Sequence, residues 1–596
     1  MSNQIHIIQN AITTTISEIF RGDFRRICEV KKAVLHLEAI YFCHGTCYLL
    51  KRENMPIKDQ LALYQRIELI PQSTTEFFEN NRECIINNWP EESALAAKPE
   101  ILYDALLASE FCVQPERVGY KIDKVSRDIA GAYYTSSDFS AQITYRALES
   151  YMDRKRRRAI DSDSFACCNE YENITFLDYS CGCGEFLLAV IQYFDNHVLG
   201  YSRKKLATQL RGVDVNPIAL MITIARIVSA VEAEDDENLL REVAKNFIVG
   251  NPLLHSDKIA PLEVRFDNFA LNRLYAETEG INCLELEQQN LVVLGNPPWE
   301  KLRFEERAFF RPVCPAISAI SQKNKREKEI KKLAVNWLEL LEYYQLLQDD
   351  YASVKKEIPK HPLLKVSLVG ELNTYAMFAE LASRLTEKDG FAAIIVKSAL
   401  VTSTCYSSCF RHFVNQGSLS EVFLFDNREK LFQIDSREKF CVLFFGGEHA
   451  GGIKVHYGLT KQEQILSSVP INVTSEELEL INPETGLLPN VADSKEFSFL
   501  LRTHRSLSVF AKEFPKCHFG RLVHLTAHAE HISTKSEKTR VPIYEGKFIE
   551  QYDNRFSTFA GMSADERYQA KASARRQPGD SFVAPKLAPA VSYTHL

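Results

Sequence analysis

Asn296-Pro297-Pro298-Trp299, directly after the apolar run Leu291 to Gly295, is the group whose residue types and spacing are best suited to chemistry. The run reads as a buried strand of the parallel type, and two consecutive prolines cannot continue a ladder, so the strand stops at Asn296. An amide side chain, a backbone carbonyl ahead of a rigid proline and a large aromatic ring are thereby set at the carboxyl end of a strand, where open α/β sheets bind ligands. The combination suits a planar base with an exocyclic amine: Asn296 and the Pro297 carbonyl accept its two N–H bonds, and Trp299 stacks on its face. An Asn-Pro pair also starts ordinary turns, so the rest of the chain has to decide between the two readings.

Other strand ends bear on that decision. Asn173 to Leu177 read as a strand ending in Asp178, and Tyr179-Ser180-Cys181-Gly182-Cys183-Gly184-Glu185-Phe186 then opens the apolar helix LLAVIQYF. Gly182 and Gly184 let backbone approach a ligand closely, as glycine-rich turns between strand and helix do for nucleotides. A second strand ends in Gly212-Val213-Asp214-Val215-Asn216-Pro217, where Asp214 can accept both hydroxyls of a ribose. A third, Phe247 to Gly250, ends at Asn251, whose amide suits an adenine edge. Asn251-Pro252-Leu253 lacks the second proline and the aromatic ring, and is the poorer candidate for chemistry. Upstream, Gly131-Ala132-Tyr133-Tyr134-Thr135 leads into a helix beginning near Ser136 to Asp138. Exposed amides and the Thr135 hydroxyl there can seat a carboxylate, or can serve as an ordinary N-cap.

The elements that position these residues follow from their spacing. Strand-turn-helix units ending near residues 178, 214, 251 and 295 predict an α/β fold with a Rossmann-like, doubly wound parallel sheet. A charged, helix-rich insertion is expected over 305–365, followed by a helix from Tyr375 to Leu385 and strands at Gly390 to Val396 and Leu419 to Phe425. Phe432 to Phe440 then leads into CVLFFGG, a hairpin-like end to the sheet; Phe440 reads either as a second stacking surface or as a core aromatic. Residues 1–120 read mainly as helix. Asp23 with Glu29-Val30-Lys31 has the form of a nuclease metal site, but the pattern around it is helical, so a helical platform is expected and no metal site. The predicted organisation is a helical region over 1–120, a catalytic domain over 121–450 and a separate α/β region over 455–596.

The chain has 596 residues, 45% of them hydrophobic and 25% charged, an ordinary globular composition. Its formal net charge of −7 offers no global case for nucleic-acid binding. Contacts of that kind fall to local patches such as Arg154-Lys155-Arg156-Arg157-Arg158 and Lys323 to Lys332. Fifteen cysteines are scattered without paired Cys-x-x-Cys units, so reduced thiols are expected. No apolar run approaches the length of a membrane span and no leader is evident, which points to the cytoplasm.

In this order the pieces resemble the γ-class N6-adenine DNA methyltransferases, and more narrowly the large enzymes of type IIG restriction-modification and related phage-defence systems. The resemblance covers about residues 125–450. Asn296-Pro297-Pro298-Trp299 look like the family's catalytic motif, Asp178 to Phe186 like its methyl-donor motif, Gly212 to Pro217 like its ribose-binding strand end, and Gly131 to Thr135 like the element that holds the methionine carboxylate. Tyr179 replaces a usual proline and Cys183 a usual Ser or Thr, and Asn251 stands where the family often has Asp. The resemblance implies a class I S-adenosylmethionine-dependent methyltransferase fold and S-adenosyl-L-methionine as cofactor. It implies methyl transfer to N6 of a flipped-out adenine in double-stranded DNA, and a nuclease, ATPase or specificity partner.

Target recognition is then assigned to 455–596, through Arg521, His524, His528, Lys535, Lys538 and Arg540, and Ile543 to Phe556 resemble an element found in the C-terminal portions of these enzymes. The ending VSYTHL reads as an unfinished or artefactual terminus, so part of that region is expected to be missing. Two alternatives remain open at this stage: a methyltransferase acting on protein glutamine or RNA, which shares the Asn-Pro-Pro-aromatic motif, and a catalytically silent DNA-binding scaffold of a defence complex.

Overall fold

The computed structural model describes residues 2–508, apart from 96–97, 123–134, 162–170, 172, 287–289, 388 and 447–451, and beyond them residues 513–516 and five two-residue strands. Two compact units divide the chain, Met1–Ser506 and Leu507–Leu596. The second contains a three-stranded and a two-stranded sheet, all of short strands.

The first unit is built on nine strands: β1 (Thr175–Asp178), β2 (Leu210–Asp214), β3 (Phe247–Val249), β4 (Leu291–Gly295), β5 (Phe391–Lys397), β6 (Leu419–Asp426), β7 (Lys439–Phe445), β8 (Ile453–Leu459) and β9 (Ile471–Val473). Across the sheet their order is β9-β8-β6-β7-β5-β4-β1-β2-β3. The strands run parallel except β7, which is antiparallel to both β5 and β6, and β9, antiparallel to β8. This is the expected doubly wound α/β sheet. All of β4 is buried, which is why its sequence is an unbroken apolar run rather than an alternating one.

Nine helices matter for the site: α1 (Ser2–Ile19), α2 (Ile27–Leu49), α3 (Pro99–Leu107), α4 (Ser137–Asp161), α5 (Glu185–His197), α6 (Pro217–Ala230), α7 (Lys323–Asn336), α8 (Leu338–Glu357) and α9 (Thr374–Leu385). The sequence of α6, PIALMITIARIVSA, is apolar around nearly its whole circumference, so it has to be covered on more than one side. The sheet covers one side, and α2 and α3 cover another. The helices before residue 120 therefore belong to the same unit as the sheet. The insertion joins them through α8, where Tyr343 donates to the Leu271 carbonyl at 2.9 Å and Lys31 Nζ lies 5.4 Å from the Tyr343 ring. Glu29 and Lys31 lie in α2, and among the described residues no group of three or more His, Cys, Asp or Glu side chains is placed to hold a metal ion.

Three features depart from the sequence expectation. Residues 109–122 form an antiparallel hairpin, Ser109–Gln114 with Arg117–Ile122. The boundary expected near 450–455 falls inside the sheet, because β8 pairs with β6, β9 pairs with β8, and the unit continues through the helix Ser494–Ser506. Without β8 the long, apolar β6 would be left as an open edge. Within the basic run, Arg154 is buried and donates to the carbonyls of Asp389 and Gly390, both at 2.8 Å, and of Gly446. It ties α4 to the start of β5, away from the carboxyl strand ends, and is not a phosphate contact.

Arg521, His524, His528, Lys535, Lys538 and Arg540 and the element expected at 543–556 lie outside the described residues, as do Gly131 to Tyr134. Among the described residues no helix is long and apolar enough to cross a membrane.

Candidate active site

Strand order brings the predicted residues together. β1 and β4 are neighbours at the centre, with β2 and β3 on one side and β5 on the other. The winding reverses between them, and such a switch point opens a crevice at the carboxyl ends. Asn251, Asp214, Asp178 and Asn296 follow or end β3, β2, β1 and β4, so they stand in that order along the rim. The approach of β1 to β4 depends on a glycine: a Cβ on Gly295 would lie 2.7 Å from Asp178 Oδ1.

The turn after β1 is shaped as a cradle. Gly182 and Gly184 have φ of +50° and +86°, which favour glycine. A Cβ on Gly184 would meet Thr223 Cγ2 at 2.7 Å, whereas one on Gly182 would project into open space. The cradle is held from α6, where Thr223 donates to the Gly182 carbonyl at 2.7 Å and Arg226 to the Cys183 carbonyl at 2.5 Å and to Glu185 at 2.7 Å. Glu100 of α3 lies 4.0 Å from Arg226, and Tyr103 is hydrogen-bonded to Asn216. Sequence reading missed Glu100, Tyr103, Thr223 and Arg226. The signal available was a single charged residue inside an otherwise apolar helix.

Asp214 faces this cradle. Its Oδ2 accepts from Gly182 N at 2.8 Å and its Oδ1 from Asn216 N at 2.9 Å. Each bond uses one of the lone pairs of an oxygen, so the carboxylate is oriented while retaining capacity for two hydroxyl donors. Burial raises its pKa, opposed by the amides of Asn216 and Gly182. Asp178 is buried more severely, and burial pushes its carboxyl up to about 8 despite the Ser180 amide at 3.0 Å.

The sign of the resulting pH dependence is fixed. Between the unfolded value near 4 and about 8, the folded state holds a proton that the unfolded chain has released, so stability falls as pH rises through this window. Asp178→Asn is expected to flatten that decline, which unfolding midpoints measured from pH 5 to 9 will show; parallel curves for the two proteins would contradict it.

At the end of β4, Asn296 Nδ2 donates to Thr135 Oγ1 at 3.1 Å. Thr135, expected to hold a carboxylate, thus contacts the candidate catalytic amide. The following residues are stapled by Thr374 at the start of α9. Its hydroxyl accepts from Glu300 N at 3.0 Å and donates to the Pro298 carbonyl at 2.5 Å.

Trp299 is buried, and its Nε1 donates to the Ile395 carbonyl at 3.3 Å. Phe440 lies beneath it at 6.1 Å and 30°, is fully buried and stacks on Phe425 at 5.0 Å. It is a core support for Trp299 and not a second stacking face, because a ring closed in on both sides has no face to offer a base. The ring that borders Trp299 from the β6–β7 connection is Phe432, at 5.3 Å and 69°, anchored through its backbone by Asn427.

Asn251 also differs from expectation. Its Nδ2 donates to the Leu274 carbonyl at 2.6 Å and its Oδ1 accepts from Leu253 N at 3.0 Å. The side chain is committed to holding the wall of the crevice.

No protein-family model matches the chain, and neither does any curated protein sequence. Among solved structures, the DrdV–DNA complex is 12% identical with a TM-score of 0.41, over 79% of this chain and 46% of that one. A nuclease-deletion mutant of the Type ISP restriction-modification enzyme LlaGI, in complex with a DNA substrate mimic, is 11% identical with a TM-score of 0.40, over 83% and 44%. A putative class I S-adenosylmethionine-dependent methyltransferase from Listeria monocytogenes is 10% identical with a TM-score of 0.31, over 78% and 97%. The chain spans less than half the length of the first two.

Proposed function

We propose that this chain is a site-specific DNA methyltransferase, transferring a methyl group from S-adenosyl-L-methionine to N6 of a flipped-out adenine within a restriction-modification or related phage-defence system. The observation that carries the reading is the placement of Asn296 and the Pro297 carbonyl at the switch-point end of β4, one strand from the Gly182–Gly184 cradle. The sheet supports it too: the dinucleotide-binding order is 3-2-1-4-5-6, and this sheet follows it with a reversed β7 inserted between β5 and β6.

The residues present fit the donor. Gly182 leaves open the space that a Cβ would fill, and Asp214 is oriented with acceptor capacity for ribose hydroxyls. When bound, S-adenosyl-L-methionine supplies an electrophilic sulfonium methyl. The chain's part is to prepare the amine. An exocyclic amine is a weak nucleophile because its lone pair is delocalised into the ring. Accepting its two N–H bonds at Asn296 Oδ1 and the Pro297 carbonyl favours a tetrahedral nitrogen with a localised lone pair. No general base is needed before attack. Trp299 offsets part of the cost of unstacking, and since Phe432 borders its ring, the β6–β7 connection is the element that has to yield to an incoming base.

Double-stranded DNA is the proposed substrate, and a nuclease, ATPase or specificity subunit the proposed partner. The test is long-read detection of modified bases in DNA from cells expressing the wild type and Asn296→Ala. New N6-methyladenine at one defined sequence, absent in the variant, is the expected result. Donor binding by calorimetry with no modification of DNA would instead favour a protein or RNA substrate, and absence of donor binding would favour the silent scaffold.

A further inference from the structure

The residue that follows the catalytic tetrapeptide is a half-buried carboxylate with a defined partner. Glu300 accepts the hydroxyl of Tyr275, itself buried and packed on the Tyr351 ring at 5.4 Å. Tyr275 adjoins Leu274, whose carbonyl is held by Asn251 Nδ2 at 2.6 Å. Two hydrogen bonds and one peptide therefore connect the end of β3, on the donor side of the crevice, to the residue bonded to Trp299. On its other side the tetrapeptide is fixed by Thr374. Beside the bonds of Asn296 to Thr135 and of Trp299 to Ile395, the carboxyl end of the tetrapeptide is thus held by Thr374 of α9 and by a link that begins in the donor wall.

We infer that Glu300 is a positioning residue that, through Tyr275, transmits occupancy of the donor pocket to the Asn296–Trp299 loop, an inference that rests on the methyl-transfer reading above. A hydroxyl donating to a half-buried carboxylate is a charge-assisted, directional link, and it joins two segments that are otherwise on different walls. A link of this kind makes the catalytic loop sensitive to whether the donor is seated, so that a base is engaged only beside a loaded pocket. Tyr275 and Tyr351 face Glu300; Asp350 in turn faces both tyrosines and Glu305 faces Tyr351, with Arg273 opposite Asp350 at 3.7 Å. Burial raises the Glu300 carboxyl to about 7, so the strength of the Tyr275 bond changes near neutral pH.

The test uses the full chain, with S-adenosylmethionine and duplex DNA as probes. Donor-induced change in tryptophan fluorescence reports the loop through Trp299, the other two tryptophans being Trp89 and Trp337. Tyr275→Phe is expected to lose this change and to lower kcat by a factor on the order of 100, the cost of misplacing a reacting group by about an ångström. Its donor Kd should stay within about threefold of wild type. Glu300→Ala should behave alike, while Glu300→Gln, which keeps an oxygen for the Tyr275 hydroxyl, should restore most of kcat.

If Tyr275→Phe and Glu300→Ala keep both kcat and the fluorescence change, the inference fails and the methyl-transfer reading stands. A large fall in the unfolding midpoint of Tyr275→Phe with kcat per folded molecule unchanged would show a purely structural bond and also overturn it. A wild-type protein that neither binds the donor nor methylates DNA would overturn both.

Discussion

Asn296→Ala is expected to lower methyl transfer by a factor on the order of 10²–10³, the loss typical of removing one aligned hydrogen-bonding group from a transition state. Donor affinity should remain close to wild type, because the residue ends β4 while the cradle and Asp214 belong to β1 and β2. Single-turnover transfer of labelled methyl to duplex DNA, beside calorimetric titration with the donor, separates the two quantities. A large rise in donor Kd would assign Asn296 to the donor pocket. The bond to Thr135 sharpens the expectation. With Nδ2 donating to Thr135 Oγ1, Oδ1 is the end presented to the base; Asn296→Asp should substitute poorly, because a carboxylate has no N–H to donate and keeps the contact only if the Thr135 hydroxyl turns to donate to it.

Asp214→Ala is expected to weaken donor binding by a factor on the order of 10²–10⁴, since hydrogen bonds to a charged group contribute roughly 1.5–3 kcal/mol each and the proposed site uses Asp214 for two hydroxyls. It also removes the acceptor for Gly182 N and Asn216 N, two amides that orient the cradle. Asp214→Asn should be nearly as damaging. Both carboxylate oxygens face backbone N–H donors, and an amide has to turn its own NH₂ toward one of them. Calorimetry with S-adenosylmethionine measures the effect, and an unchanged Kd in either variant would remove Asp214 from the donor site.

What could be read locally was read correctly in kind. The strands before Asp178, Asp214 and Asn296 are announced by apolar runs that stop at glycine or proline, and β4, β5 and β7 were all legible because strands buried on both faces have unbroken apolar sequences. The hairpin at 109–122 was not, since short polar strands of mixed composition resemble their helical surroundings. The domain boundary near 450–455 was misplaced because β8 extends the sheet by pairing with β6, and pairing is a property of neighbours that no single strand displays.

The sequence by itself determined which residues end the strands and where the glycines sit, because these follow from local backbone rules. The tertiary structure alone decided how they are shared out. Thr135 and Asn296 meet across 161 positions of sequence, Phe440 is closed into the core while Phe432 borders Trp299, and Asn251 serves the wall of the crevice. Each outcome depends on which surfaces close over which. The largely apolar α6 illustrates the reason: its sequence demanded cover on more than one side, but only folding showed that α2 and α3 provide it and so bring Tyr103 and Glu100 to the glycine cradle.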